Sequence, residues 1–164
     1  MATKVIGQKF DVGAALLNAL STNDRINVYL LENLSDEAWN SAAPGGKGRT
    51  IPAVIGHIHN VRLMWLKSAS GSSELPDKLE KEIFSKEHAK KALNASGKAV
   101  QELVAASLAT DGRIKGFKPD VASFVAYLFA HDAHHRGQIA MMARQLGYPL
   151  SKSAGFGMWE WGTR

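Results

Sequence analysis

The chain of 164 residues contains no cysteine. A disulfide framework, a thiolate nucleophile and a cysteine-ligated zinc or iron–sulfur site are therefore all excluded. Any metal ion must be held by histidine, aspartate, glutamate or water. A chain of this length buries a sizeable core without covalent cross-links, so we expect residues 1–164 to form a single domain.

Long apolar runs are missing as well. No stretch reaches the roughly 18 residues that cross a bilayer, and residues 1–10 lack the apolar run and cleavage site of a signal peptide. These absences predict a protein without membrane contact, located in the cytoplasm.

Basic residues are in excess over acidic residues, but they are scattered along the chain. Twenty lysines and arginines against 15 acidic residues give a net charge of +5, and after Asp132 the only acid is Glu160. A basic surface attracts nucleic acid or small anions. Because the basic residues are scattered along the chain, nucleic acid is not an expected partner, and a small-molecule substrate is favoured.

Helical periodicity dominates the sequence, whereas alternating strand patterns are nearly absent. Four segments are predicted as amphipathic helices, at about 9–33, 51–68, 86–109 and 119–146. The polar stretch 21–24 leaves open whether the first segment, which includes Phe10 on its apolar face, is one helix or two shorter ones. The pattern predicts an all-α four-helix bundle. Trp159 and Trp161 are expected to pack back on it.

The histidines are the residues of this sequence that best indicate a functional site. Of six, His131 and His135 lie one turn apart on the fourth helix, where two imidazoles can share one ion. At about 100° per residue, both fall on the apolar stripe of that helix, with His134 nearer its boundary. His134 is therefore assigned to the surface or to the immediate surroundings of the ligands.

The second helix supplies a third ligand. His57 lies at the edge of its apolar stripe, whereas His59 points away from that stripe. A single core histidine is usually only hydrogen-bonded, but a pair together with a third inward histidine favours a metal site. We therefore predict a site of His57, His131 and His135, with His59 and His88 on the surface.

Three imidazoles without a fixed carboxylate leave at least one coordination position open, as catalytic sites do. Imidazole ligands suit zinc, nickel, iron or copper, whereas magnesium and calcium require converging carboxylates. The residue types alone do not determine which of these metal ions binds. Neither Asp132, which is turned about 100° from His131, nor Glu160 is expected to be a fourth ligand.

Several motifs together resemble the DinB/YfiT-like superfamily of metalloenzymes, over essentially the whole chain. They are GHIHNVRLMWL at 56–66, HDAHHRGQI at 131–139, RQLG at 144–147 and WEWG at 159–162. The resemblance implies an up-down-down-up four-helix bundle and frequently a homodimer. It also implies a divalent ion, commonly zinc or nickel, on three histidines that match His57, His131 and His135. Several members use a low-molecular-weight thiol for transfer or isomerisation.

The leading hypothesis is therefore a metal-dependent enzyme, in which an open position on a dication would stabilise a thiolate. A thiol-dependent transferase is favoured over a hydrolase that activates water. Gln138, His134 and Arg136 are candidates for contacts with the substrate or with the ligands, although a packing role for Gln138 is equally compatible. The sequence identifies no catalytic residue.

Two alternative hypotheses for the function remain open. The protein could be a non-catalytic metal-binding or stress-response protein that uses the ion for stability. A zincin-like peptidase is suggested by the order His131, Asp132 and His135. It is disfavoured because Asp132 is turned away from His131 and no sheet is predicted to bind an extended peptide.

Overall fold

The computed structural model describes residues 9–70, 75–80 and 84–164, and for Ser70 the backbone only. The helices are α1 (Val12–Glu32), α2 (Asp36–Asn40), α3 (Ile51–Ser70), α4 (Lys86–Leu108), α5 (Val121–Gln145) and α6 (Lys152–Gly157), with a 3-10 turn at Pro44–Gly46. No strand occurs in these described ranges. The all-α prediction is confirmed.

Side-chain caps explain where the long helices begin. The carboxylate of Asp11 accepts from the backbone N–H of Ala14 at 3.0 Å, and that of Asp120 accepts from Ser123 at 2.8 Å. Ser85 caps α4 in the same way. Gly147, at φ 85°, follows α5 in the left-handed conformation that commonly ends a helix. The four predicted segments therefore correspond to α1, α3, α4 and α5.

The first segment is one helix, because its polar centre is buried rather than exposed. Asn23 is fully buried and Thr22 nearly so. Phe10, by contrast, precedes α1 and is 75% exposed, so its assignment to the apolar face is wrong.

Two apolar clusters define the topology of the bundle. One lies where α1 and α5 end and α3 and α4 begin, and includes Leu30, Ile55, Leu93 and Ile139. The other lies at the opposite end of each helix and includes Leu20, Leu66, Val104 and Phe124. Because α1 and α5 therefore run in one direction and α3 and α4 in the other, the bundle is up-down-down-up, as the resemblance implied.

Polar side chains meet between the two apolar clusters. We call this set the buried polar layer: Asn23, Asn27, Arg62, Asp132 and Arg136. The first four are at most 3% exposed, and Arg136 is half-buried. The layer crosses the middle of the bundle at the level of the predicted histidine site.

The C-terminal segment packs on the bundle through residues other than its tryptophans. Arg164 lies 3.7 Å over the ring of Tyr29 and donates to the carbonyl of Gly157. Trp161 reaches Phe129, whereas Trp159 is 80% exposed. The expectation that both tryptophans pack back is wrong for Trp159, because α6 buries its small residues Ala154 and Gly157 instead.

The described part of the chain includes no helix with both the length and the apolarity that a membrane crossing requires.

Candidate metal centre

The structure brings the three predicted ligands together. One ligand nitrogen from each of His57, His131 and His135 lies within 4.8 Å of the other two. The Nε2 atoms of His57 and His131 are 3.4 Å apart, and the ring centroids of His131 and His135 are 4.5 Å apart. We call these residues the three-histidine cluster. No carboxylate belongs to it in the described ranges.

The cluster lies between α3 and α5, at the edge of the core. His135 is 7% exposed and the side chain of His131 is 14% exposed. Tyr127, one turn before His131 on α5, places its ring 5.9 Å from the imidazole of His131. The site is thus held by packed helices and yet remains in partial contact with solvent.

Hydrogen bonds select the tautomers of two of the imidazoles. Nδ1 of His135 is 3.0 Å from Oε1 of Gln138, and Nδ1 of His131 is 3.5 Å from Oδ1 of Asp132. Because both oxygens accept, each Nδ1 carries the proton and each Nε2 keeps its lone pair. Ligating histidines typically hold their second nitrogen in this way. Gln138 thus contacts the cluster directly.

Burial and neighbouring charge lower the pKa values of two of the three imidazoles, which favours the neutral form that binds metals. Burial lowers the pKa of His57 to about 4, with further lowering by the positive charge of Arg49 and by the other two histidines. Burial also lowers the pKa of His135, although the hydrogen bond to Gln138 partly offsets it. At neutral pH both imidazoles are therefore unprotonated.

Asp132 has a role that the sequence reasoning missed. It is fully buried, and its Oδ2 accepts from Arg62 at 2.8 Å and from Asn23 and Asn27 at 2.8 and 2.7 Å. Burial raises the pKa of this carboxyl, but the Arg62 charge and the hydrogen bonds outweigh burial and hold the pKa well below its usual range. A permanent carboxylate thus lies behind His131.

Arg62 anchors the polar layer from α3. It is 3% exposed, and its Nη2 lies 2.7 Å from Asp24 and 2.8 Å from Asp132. Burial lowers the pKa of this guanidinium, but the two carboxylates more than compensate and raise it. Arg136 donates from the other side to the side-chain oxygens of Asn23 and Asn27, at 2.8 and 2.7 Å. Arg136 thereby orients the two amides that hold Asp132.

The assignment of His59 to the surface is wrong. His59 is fully buried, and its Nε2 donates to the carbonyl of Asp77 at 2.9 Å. The connector at 75–80 packs against α3 beside His59: Leu79 is buried there and exchanges two hydrogen bonds with Asn60. The periodicity of α3 alone does not reveal that cover.

The remaining histidines are exposed. His88, predicted to lie on the surface, does so. His134 is exposed as well, with its ring centroid 4.9 Å from that of His135.

A pocket of about 240 Å³ adjoins the cluster on the α3 side. Its lining comprises Arg49, Ala53, Gly56, His57, Asn60, Leu79 and Phe84. A larger pocket of about 680 Å³ lies along residues 111–119 and Trp65, and includes none of the three histidines. The smaller pocket is therefore the relevant one for chemistry at the cluster.

The fold and site together define a class: an up-down-down-up helical bundle in which three histidines on two helices could hold a metal ion. The family model described as "DinB family" matches residues 1–155, and the chain belongs to the DinB family. No curated protein and no solved structure matches the chain.

The polar layer yields a stability prediction. Arg62→Met leaves the carboxylates of Asp24 and Asp132 without their cation in a buried setting, so we expect a loss of about 3–5 kcal/mol in the free energy of unfolding. The matched control is Arg113→Met, because Arg113 is exposed and its ion pair with Asp111 spans 4.0 Å. It should change stability by at most about 1 kcal/mol. Urea denaturation measures both, and equal effects would contradict the assigned role of Arg62.

Proposed function

We propose that this chain is a metal-dependent enzyme in which His57, His131 and His135 hold a zinc or nickel ion. We further propose that it is a transferase that uses a low-molecular-weight thiol. The observation that supports the proposal is the convergence of three imidazoles, without a carboxylate in the described part of the chain. This donor set fits zinc or nickel and leaves at least one position for an exchangeable ligand.

When bound, such an ion lowers the pKa of a thiol at the open position and so supplies a nucleophile near neutral pH. The chain's own residues support this chemistry by orientation. Asp132 accepts from Nδ1 of His131 and Gln138 from Nδ1 of His135, which directs the free lone pair of each imidazole to Nε2. Arg49 adds positive charge near the cluster, which favours an anionic substrate.

Activation of water at the same position would make the protein a hydrolase. The choice of a thiol depends on the family relationship, and a spectroscopic test distinguishes it. In the cobalt-substituted protein, 3-mercapto-1-propanol should alter the visible absorption spectrum in a saturable way. An unchanged spectrum at millimolar thiol would contradict the thiol-dependent reading.

The ligand assignment predicts the metal content of single variants. His57→Ala, His131→Ala and His135→Ala should each weaken metal binding by orders of magnitude, because two imidazoles and solvent remain. His88→Ala, on the exposed face of α4, should retain stoichiometric metal. Elemental analysis after dialysis measures the content.

His59→Ala is the sharper control, because His59 lies on the same helix as His57 and is more deeply buried. It should lower the thermal midpoint and yet retain the metal. Loss of metal in His59→Ala together with retention in His57→Ala would overturn the assignment on α3.

Removal of the metal distinguishes an enzyme from a protein that uses the ion structurally. The apolar clusters and the polar layer are formed by protein groups alone, so we expect the chelator-treated protein to keep its helical circular dichroism and a cooperative thermal transition. A structural ion is instead linked strongly to folding. Unfolding upon chelation would favour the alternative of a non-catalytic metal-binding or stress-response protein.

We also propose that residues 1–164 act as one domain and that the chain is a homodimer. Support comes from exposed apolar side chains near the C-terminus. Phe156 is 71% exposed and Trp159 is 80% exposed, and both line a shallow pocket of about 450 Å³ with Arg144. Monomers seldom expose such patches without a partner.

A further inference from the structure

We propose that the pocket beside His57 binds the acid group of the substrate, with Arg49 as the residue that recognises it. The inference rests on the proposed function, because the acid group belongs to a molecule whose thiol would occupy the open position on the metal. The predicted substrate or co-substrate class is a small thiol that also bears a carboxylate. We call this cavity the acid pocket.

The described lining of the acid pocket combines carbon surface with a few polar groups. Ala53, Leu79 and Phe84 contribute carbon surface. A Cβ at Gly56 would lie 3.4 Å from the ring of Phe84, so the glycine leaves room for this ring to pack against α3. Asn60 is not available, because its Nδ2 and Oδ1 bond the carbonyl and N–H of Leu79 at 2.9 and 3.1 Å.

Among the described lining residues, Arg49 therefore contributes the one permanently charged group. Three other arginines of the described chain have carboxylate partners: Arg62 with Asp24 and Asp132, Arg113 with Asp111, and Arg164 with Glu160. Arg49 has no ion pair with any described residue. An arginine presents several N–H donors in a planar fork, the geometry that matches a carboxylate.

His57 connects the acid pocket to the three-histidine cluster. The imidazole lines the pocket, and its Nε2 faces His131 at 3.4 Å. Its Nδ1 has no hydrogen-bond partner within the described ranges, unlike the Nδ1 atoms of His131 and His135. A carboxylate held by Arg49 would thus lie beside a ligand whose second nitrogen still lacks an acceptor, the position that a carboxylate commonly fills.

The size of the pocket limits what it accepts. About 240 Å³ is below the range of about 300–1,000 Å³ that is typical of whole-ligand sites. The acid pocket therefore suits an acid group with a few carbon atoms, rather than an entire large cofactor.

The first experiment compares two thiols that differ only in the acid group: 3-mercaptopropionate and 3-mercapto-1-propanol. Each is titrated into the cobalt-substituted protein, and the visible spectrum gives the dissociation constant. The unmodified protein should bind the acid about twofold to fivefold more tightly, the effect of one charge-assisted contact at an exposed position. Arg49→Gln should abolish this preference without weakening the neutral thiol.

Lys47→Gln is the matched control. It also removes one exposed positive charge, two residues before Arg49, but Lys47 does not line the acid pocket. It should keep the preference for the acid. An equal loss in both variants, or a preference that survives in Arg49→Gln, would overturn the role of Arg49.

A second experiment separates failure of this inference from failure of the proposed function. Sodium acetate is titrated into the zinc-loaded protein, and amide chemical shifts of Arg49, Ala53 and Gly56 are followed, with sodium chloride at equal ionic strength as the reference. Saturable shifts that Arg49→Gln abolishes support the acid pocket. These shifts would support the acid pocket even if neither thiol changed the cobalt spectrum. An unchanged cobalt spectrum would refute only the proposed open position on the metal. Shifts that do not saturate in the unmodified protein would overturn the inference.

Discussion

The ion pair between Arg62 and Asp132 is the interaction on which the arrangement of the centre depends. Each group is removed from water, and neither charge is tolerated there without the other. Arg62 follows His57 on α3, and Asp132 follows His131 on α5. The pair therefore fixes the two histidine-bearing helices relative to each other at the level where their imidazoles meet.

The stability of the bundle and the specificity of its helix arrangement come from different parts of the structure. The apolar clusters at its two ends bury the side chains that supply most of the favourable free energy. A buried ion pair adds little net stability compared with apolar packing of similar volume, but it disfavours any register that separates its charges. Asn23 and Asn27, which Arg136 orients, complete the hydrogen bonds that the carboxylate of Asp132 needs, so the polar layer defines one arrangement of α1, α3 and α5.

Most of the fold could be predicted from the sequence, because helical periodicity and caps are local properties. The spacing of His131 and His135 likewise predicted that they share a face, since one helical turn separates them. The continuity of α1 was harder to predict, because its polar centre resembles a break. Only their partners on α5 show that Asn23 and Asn27 are polar because they hold a buried carboxylate.

The sequence by itself thus determined the four long helices, the family relationship and the three histidines as candidate ligands. The tertiary structure decided which polar side chains are enclosed. His59 and Asp132 both lie off the apolar stripe of their helices, and each is buried because another element covers it: the connector at 75–80 for His59 and α1 for Asp132. The periodicity of one helix records its contact with an apolar core. It does not record a polar contact with a segment distant in sequence, because such a contact needs only a matching donor or acceptor.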